Sequence, residues 1–212
     1  MMQKNTIKRA KSCKVRQSNT LGKASRHQII SAAECILRDE GYHALSIRKV
    51  AEACDISSGN LTYHFPNKVQ LVEAVMISVC DRYERQRPEF KPEDIQNPSD
   101  FLKRTVTWMI DDAVAPETSR LFLEFWILAK QYEFGTEIIE RSYASAVEWL
   151  ITALGGCFPY SPQDQREQAA YYMLTISEGS LAVFSRSYQR SVDQSDMVDF
   201  AVAGIMSILQ TR

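Results

Sequence analysis

The amino-acid sequence predicts an all-α protein of about nine helices, with an N-terminal three-helix head of helix-turn-helix type and a C-terminal helical bundle. Apolar residues recur at helical spacing along most of the chain, and prolines, glycines and N-capping residues separate the periodic stretches. Sustained alternation of apolar and polar residues, which would indicate strands, is absent from the sequence, and there is no internal repeat. The 212 residues are 45% hydrophobic and 24% charged, which is enough to bury a core in one or two domains.

Charge divides the chain into a basic N-terminal part and an acidic C-terminal part. Residues 1–72 contain 12 Lys/Arg and 5 Asp/Glu, whereas residues 73–212 contain 13 and 21. Residues 1–24 are polar, basic and aperiodic, and we expect a disordered arm there. This asymmetry is typical of a polyanion-binding head on an acidic body, although a solvated basic tail would carry the same charges.

The first two helices of the head, within residues 25–72, are indicated by their caps. The first is predicted to begin at Ser25, where Gln28 completes a capping box, and to end at Gly41. Ser46 is a good N-cap for the second helix. The buried face of that helix follows at positions i, i+3, i+4 and i+7: Ile47, Val50, Ala51 and Cys54.

A turn and a third short helix come next. Asp55 lies where the chain must turn, and Ser57 can cap the helix that follows. Leu61 and Phe65, four residues apart, form its inner face, and Pro66 ends it because the residue before a proline avoids helical geometry. Two short helices joined by a tight turn are typical of the helix-turn-helix unit, whose second helix enters the major groove of DNA.

The body, residues 73–212, is predicted from the same signals. Asn67 caps a long helix that ends before Pro88, and a proline-rich loop follows at 88–98. Further helices are predicted at about 99–114, 117–131, 136–154, 163–187 and 195–210.

The outer side of the third helix suits contact with DNA. An Asn can pair with adenine, a Thr methyl can touch thymine, and Tyr or His can donate to phosphate. Gly59 within so short a helix costs ~1 kcal/mol, which is easiest to explain if the backbone must approach something closely. Lys68 lies at a helix N-terminus, where only a nearby anion favours a cation. The alternative is a polar face that touches only water, which is common for short amphipathic helices.

Residues from Arg26 to about Val75 resemble the DNA-binding domain of the TetR (tetracycline-repressor-like) family of transcriptional regulators. The similar segments are 50–51 for the family's Ile/Val-Ala pair, 54–57 for its turn, 59–61 for its recognition helix and 64–71 for the Tyr/His-Phe-x-x-Lys-x-x-Leu pattern. The resemblance implies that these residues face DNA: Arg26, Ser46, Arg48, Ser57, Ser58, Asn60, Thr62, Tyr63, His64 and Lys68.

The sequence departs from the family pattern at two positions. Asp55 replaces the usual glycine of the turn, and aspartate tolerates left-handed geometry. Thr62 stands where an aromatic residue is common, so Tyr63 is expected to make the phosphate contact instead. Because the recognition helix contains no Lys or Arg, we expect affinity to depend on Arg48, Lys49, Lys68 and the arm.

The resemblance also implies how the whole chain works. We expect a homodimer that binds a double-stranded, palindromic DNA operator as a repressor and is released by an unknown small-molecule effector bound in residues 73–212. A transcriptional activator of the same fold, or a helical adaptor that binds protein, are the alternatives. The candidate pocket residues, each of which could equally be core, are Met76, Tyr83, Trp108, Phe125, Trp126, Tyr143, Trp149 and Tyr171. The candidate dimer residues are Met173, Leu181, Phe184, Phe200, Ala203 and Gly204.

Several other classes are disfavoured. The sequence has no nucleophile–base spacing, no Gly-rich phosphate loop and no metal motif, so we expect neither an enzyme nor a bound cofactor or metal. No apolar run approaches the ~20 residues of a membrane span, and the N-terminus lacks the apolar segment of a signal peptide, so we expect a cytoplasmic protein. The five cysteines include no C-x-x-C pair and are expected to be reduced.

Overall fold

The computed structural model describes residues 26–88, 97–184 and 192–210. The predicted arm and Ser25 lie outside the described residues. Across the described ranges the chain is all-helical, which confirms the predicted fold class. The elements are α1 Arg26–Glu40, a 3₁₀ turn Tyr42–Ala44, α2 Ile47–Ala53, α3 Ser58–His64, α4 Lys68–Gln86, α5 Pro98–Val114, α6 Pro116–Gln131, α7 Glu133–Cys157, α8 Gln163–Phe184 and α9 Gln194–Gln210.

The chain divides into two compact units, and the division falls after Val75, inside α4. In the N-terminal unit the predicted caps are present. The Ser46 side chain accepts a hydrogen bond from the Lys49 backbone N–H at 3.2 Å, and Ser57 accepts one from the Asn60 N–H at 3.1 Å. Each cap satisfies a backbone donor that the first turn of a helix leaves free.

The turn between α2 and α3 depends on Asp55. Its φ of 56° places it in the left-handed region, as expected for a residue that stands where a glycine is usual. The next N–H, that of Ile56, returns to the carbonyl of Ala51 at 3.0 Å. The core of this unit lies under the turn and contains Ile29, Ala33 and Leu37 of α1, Val50 of α2, and Leu61, Phe65 and Leu71.

The C-terminal unit is a bundle in which α5 packs against α8 and α9, α7 packs against α6 and α8, and α8 packs against α9. Its main core contains Leu102 and Ile110 of α5, Leu150 and Leu154 of α7, and Ile205 of α9. None of the described helices combines the length and the apolar character that a membrane span requires.

Helix α7 is longer than predicted at both ends. It begins at Glu133 and runs through Gly155 and Gly156 to Cys157, so the glycines do not end it. Gly135 has a packing role: a Cβ there would lie 2.9 Å from the Ala129 Cα, so the start of α7 passes very close to the end of α6. Here the requirement for close packing outweighs the low helix propensity of glycine.

The cysteines do not all behave as expected. Cys54, Cys80 and Cys157 are free thiols that are buried or half-buried, in agreement with a role as small hydrophobic side chains. Cys35 is disulfide-bonded, so the expectation of a reduced thiol is wrong at that position. Cys13 lies outside the described residues.

Candidate nucleic-acid interface

Helix α3 has a buried side and an exposed side. Leu61 and Phe65 are 0% and 2% exposed and anchor the helix to the N-terminal unit. On the other side Ser57, Ser58 and Thr62 are exposed, Asn60 and His64 are half-buried, and Tyr63 is 86% exposed. The residues predicted to face DNA therefore lie on the surface of this helix, and its tyrosine extends furthest into solvent.

Two hydroxyl groups of this surface already have structural partners. The Ser57 oxygen caps α3, and the Thr62 hydroxyl donates to the backbone carbonyls of Ser58 at 3.0 Å and Gly59 at 3.1 Å. Since a hydroxyl bonded to its own helix has less capacity for bases, Ser57 and Thr62 are the weaker candidates for base contacts. The Tyr63 and His64 rings lie edge to face, with centroids 5.4 Å apart.

Each predicted cation of the helix-turn-helix unit contacts a group of the protein itself. The Arg48 Nε lies 2.8 Å from a Glu52 carboxylate oxygen, and Lys49 pairs with Glu40. The hydrogen bond to Glu52 raises the pKa of Arg48, so this side chain stays charged. These are exposed pairs, and a phosphate can compete for the cation because surface pairs stabilise a protein little.

Lys68 is held more firmly. Its Nζ donates to the Tyr42 carbonyl oxygen at 2.6 Å and lies 3.6 Å from the centre of the Tyr42 ring, and burial lowers its pKa. Arg26, the other predicted contact at the start of the unit, has its guanidinium 4.9 Å from the centre of the Phe65 ring. Lys68 thus joins the N-terminus of α4 to the 3₁₀ turn, a structural role that the sequence analysis missed.

The unbalanced positive charge of the first 72 residues lies before the helix-turn-helix unit. Residues 26–72 contain five Lys/Arg and five Asp/Glu, whereas residues 1–25 contain seven Lys/Arg and no acidic residue. The helix-turn-helix unit itself is therefore neutral overall. The i, i+4 spacing of Arg48 and Glu52 was visible in the sequence and indicates such a pair.

The candidate pocket residues fall into separate groups within the C-terminal unit. Met76 and Phe125 are fully buried core residues. The Tyr83 hydroxyl lies 2.8 Å from the Thr118 hydroxyl, and the Trp108 and Trp149 rings meet edge to face at 6.0 Å. Tyr171 is 56% exposed and lies on the surface of α8. A helix pattern alone does not separate a side chain that faces the core from one that faces another molecule.

An open cleft of about 580 Å³ lies on one side of α5. Of the predicted pocket residues it includes Trp108, together with Lys103, Arg104, Thr107, Asp111 and Asp112. Burial raises the pKa of Asp112, whose carboxylate is hydrogen-bonded to Thr118. The mixed charges of this cleft do not indicate a particular ligand.

Trp126 and Tyr143 do lie together, and they involve a third residue that the sequence analysis did not assign to a site. The Trp126 Nε1 donates to the Tyr143 hydroxyl oxygen at 3.0 Å, and Tyr143 is hydrogen-bonded to Glu178 of α8. Burial raises the pKa of Glu178 to about 7 and that of Tyr143 to about 12. One carboxylate oxygen of Glu178, Oε2, is buried without a hydrogen-bond partner in the part of the chain that the structure describes.

The candidate dimer residues divide into buried and exposed side chains. Met173 and Leu181 are 3% and 2% exposed, so within the single chain they are core residues. A Cβ at Gly204 would lie 2.7 Å from the Tyr172 hydroxyl, so this glycine serves the packing of α9 against α8. Phe184 is half-buried, whereas Ala203 is exposed and Phe200 is 61% exposed.

Comparison with known proteins gives one family match and several relatives. The sequence model of the family described as "Bacterial regulatory proteins, tetR family" matches residues 29–75. The regulator TtgR of Pseudomonas putida is 25% identical over 126 residues, and the alignment spans 59% of this chain and 59% of TtgR.

Solved structures resemble most of the chain. Salmonella enterica GusR superposes with a TM-score of 0.64 at 19% identity, over 88% of this chain and 95% of GusR. The multidrug binding protein EbrR gives a TM-score of 0.62 at 18% identity, over 88% and 96%. At these identities the structural likeness concerns the fold of both units, while the match to the family model lies in residues 29–75.

Proposed function

Because this chain belongs to the TetR family of bacterial regulatory proteins, we propose that it is a DNA-binding transcriptional regulator that acts as a homodimeric repressor on a palindromic operator. A small-molecule effector bound in the C-terminal unit releases it from DNA. The observation that carries this proposal is the exposed polar side of α3, on a short helix whose other side is anchored by Leu61 and Phe65. The regulatory family also disfavours the alternative of an enzyme.

The exposed side of α3 supplies the base contacts in this proposal. Asn60 has the donor and acceptor pair that suits adenine, and Tyr63 and Ser58 can reach bases or phosphates. Gly59 is exposed between these side chains, and among the described residues a Cβ there would meet only the Ser57 hydroxyl oxygen, at 3.9 Å. Packing within residues 26–88 therefore does not require a glycine here, which favours a close approach of DNA to the backbone.

Affinity in this proposal comes mostly from outside the helix-turn-helix unit. Arg48 and Lys49 are paired with acidic residues, and Lys68 is bonded to Tyr42. The seven Lys/Arg of residues 1–25 are the main source of unbalanced positive charge. They would neutralise phosphates beside the bound helix.

The dimer is proposed to form through the exposed apolar residues of the last two helices. Tyr171 and Val183 of α8 are 56% and 49% exposed, and Phe200 of α9 is 61% exposed. The small exposed residue Ala203 lies one turn from Phe200. Large exposed apolar side chains on neighbouring helices favour burial against a second copy of the chain, and the resulting two-fold symmetry would match a palindromic operator.

Release by an effector is proposed from the likeness to EbrR, which is described as a multidrug binding protein, and from the aromatic residues of the body. Of the 21 aromatic residues of the chain, 18 lie after residue 72. A ligand that binds one arrangement of the bundle more tightly than another shifts the population of dimers that fit DNA.

The decisive test of DNA binding is Gly59→Ala. Alanine favours a helix over glycine by ~1 kcal/mol, and the 3.9 Å neighbour leaves room for its methyl group, so the variant should melt at a higher temperature. If DNA approaches this backbone, the same methyl group should weaken operator binding at least about tenfold. Fluorescence anisotropy with DNA from the promoter beside the gene would measure the affinity, and calorimetry the melting temperature.

The matched control is Gly155→Ala. It adds the same methyl group to helix α7 of the C-terminal unit, where its nearest neighbour is the flexible end of Arg166 at 3.0 Å. This variant should bind DNA like the parent protein. If Gly59→Ala melts higher and binds DNA equally well, the exposed side of α3 is not the DNA-contacting surface.

Two further measurements separate the alternatives. Asn60→Ala should reduce the preference for operator over random DNA, whereas a protein-binding adaptor would show no such preference in the parent protein. Lys68→Ala is a poor choice, because it also removes the bond to Tyr42. Transcription in vitro from the bound promoter distinguishes a repressor, which lowers transcript yield, from an activator, which raises it.

A further inference from the structure

Three polar side chains from three helices form one hydrogen-bonded chain inside the C-terminal unit. They are Trp126 of α6, Tyr143 of α7 and Glu178 of α8, which we call the triad. The Trp126 Nε1 donates to the Tyr143 oxygen at 3.0 Å. Since an indole N–H can only donate, the Tyr143 hydroxyl is the acceptor in this contact, and its own proton is left for the carboxylate of Glu178.

The triad leaves one acceptor unsatisfied. Glu178 Oε2 is buried and has no hydrogen-bond partner among the described residues, although the carboxylate already accepts from Tyr143. A buried acceptor without a donor is costly to the folded state, and more so when it is charged. Burial disfavours the charged form of the Glu178 carboxyl and raises its pKa, and the hydrogen bond from Tyr143 lowers the pKa only in part.

The surroundings of Oε2 suit one class of ligand. Each member of the triad is half-buried as a residue, so the side chains around Oε2 border solvent although Oε2 itself is buried. Two of its three members are aromatic, and the faces of indole and phenol rings attract cations. A carboxylate with a free oxygen beside such rings matches a planar nitrogen cation that can also donate hydrogen bonds.

We propose that the triad recognises the effector, and that the effector carries an amidinium- or ammonium-type nitrogen on an apolar or aromatic body. Its N–H donates to Glu178 Oε2, its charge pairs with the carboxylate, and Trp126 and Tyr143 contact the apolar part. This inference rests on the proposed function, since it identifies the chemical class of ligand that the C-terminal unit binds.

A purely structural role for the triad accounts less well for the same geometry. A structural hydrogen-bond chain stabilises the bundle when its members are satisfied, and Gln at position 178 would provide the acceptor for Tyr143 without a charge. The chain instead has an acid whose ionised form is disfavoured by burial and whose second oxygen has no donor. A local loss of folding free energy of this kind is typical of binding sites.

The test uses the full chain and two small probes of the same shape, benzamidine and benzamide. The first is a cation with four N–H donors, and the second is neutral. Titration followed by tryptophan emission should show benzamidine binding at least about tenfold more tightly than benzamide. The Glu178→Gln variant should lose that difference, and Trp126→Phe should lose most of the emission change.

Glu148→Gln is the matched control, because it removes an exposed carboxylate from α7 and should leave both affinities unchanged. The inference is overturned if benzamidine does not bind, if the two probes bind equally, or if Glu178→Gln and Glu148→Gln behave alike. Melting temperatures of all variants verify that each is folded.

Operator binding measured on the same samples separates the two proposals. A protein that binds the operator but ignores the cation contradicts only the role of the triad. A protein that binds the cation through Glu178 but binds no DNA supports the triad as a ligand site and contradicts the proposed function.

Discussion

The candidate sites of the two units place their polar side chains differently. In the N-terminal unit they lie outside, on the exposed side of α3, and the polar groups nearest the backbone are helix caps such as Ser46 and Ser57. In the C-terminal unit the triad of Trp126, Tyr143 and Glu178 lies between helices. A surface of exposed polar groups suits a large external partner, whereas an unsatisfied oxygen between helices suits a small one.

The largest effect should come from removing the charge of the arm. Replacing the seven Lys/Arg of residues 1–24 by Ser and Gln should lower operator affinity ~100- to 1000-fold near 0.1 M salt, because phosphate neutralisation supplies most of the binding free energy. If the proposed dimer neutralises ~8 phosphates, its log–log salt slope should be near −7, and the variant should show roughly half that. Anisotropy titrations over a range of KCl concentrations measure both quantities.

The control for the arm replaces Arg120 and Lys130, two exposed cations of α6, by Gln. It should leave the slope unchanged. An arm variant that keeps the parent slope would mean that Arg48 and Lys49 leave their acidic partners and carry the phosphate contacts, and that the neutrality of residues 26–72 does not limit binding.

The second effect concerns the triad and has a defined pH dependence. Burial raises the pKa of Glu178 to about 7 from an ordinary value of 4.5, so the folded protein binds this proton more tightly than the unfolded chain. The stabilisation that follows is present below pH 4.5 and is lost as the pH rises through 7. Since Gln resembles the protonated acid, Glu178→Gln should stabilise the protein at pH 8 by ~1–2 kcal/mol, after allowance for partial exposure, and little at pH 5.

Urea denaturation of the parent and of Glu178→Gln between pH 5 and pH 8 measures this difference, with Glu148→Gln as the control for a general loss of negative charge. Parallel stability profiles would show that Glu178 is as well solvated in the folded protein as in the unfolded chain. The contrast between the exposed polar side of α3 and a poorly solvated acid in the C-terminal unit would then no longer hold.

The difference between the units also explains what the sequence could predict. Caps and turns of the N-terminal unit depend on residues within five positions of each other, so Ser46, Ser57, Asp55 and the inner face of α3 were recognisable from spacing. The aromatic members of the triad were recognisable as candidates by type, but their hydrogen bond joins residues 17 positions apart. Glu178 on a third helix had no local signal that it would be buried.

The direction of side chains in the C-terminal unit could not be predicted from the sequence either. Met173 and Tyr171 are two residues apart on α8, yet one is core and the other is exposed. Both are compatible with an amphipathic helix that has partners on two sides, and only the packing of α5 and α9 against α8 decides between them. Pairings of the N-terminal cations were missed for a different reason: Lys49 meets Glu40 across the space between α1 and α2, nine residues away in sequence.

The smallest expected effect concerns the left-handed turn residue of the N-terminal unit. Asp55 has a φ of 56° in the turn between α2 and α3. A left-handed conformation costs an ordinary L-residue ~1–2 kcal/mol, and aspartate less, so Asp55→Ala should destabilise the protein by ~1 kcal/mol while Asp55→Gly should be neutral or slightly stabilising. Urea denaturation at constant pH, away from the titration of Glu178, measures both.

The operator affinities of Asp55→Ala and Asp55→Gly also test whether the turn affects DNA binding. Since the turn sets how α3 follows α2, a variant that keeps the turn geometry should bind DNA like the parent wherever it is fully folded, and Asp55→Gly should do so. If Asp55→Ala were as stable as Asp55→Gly, the turn would not require the left-handed conformation. If Asp55→Gly folded well but lost DNA binding, the aspartate side chain itself would be needed at the interface, and the recognition surface would extend from α3 into the turn.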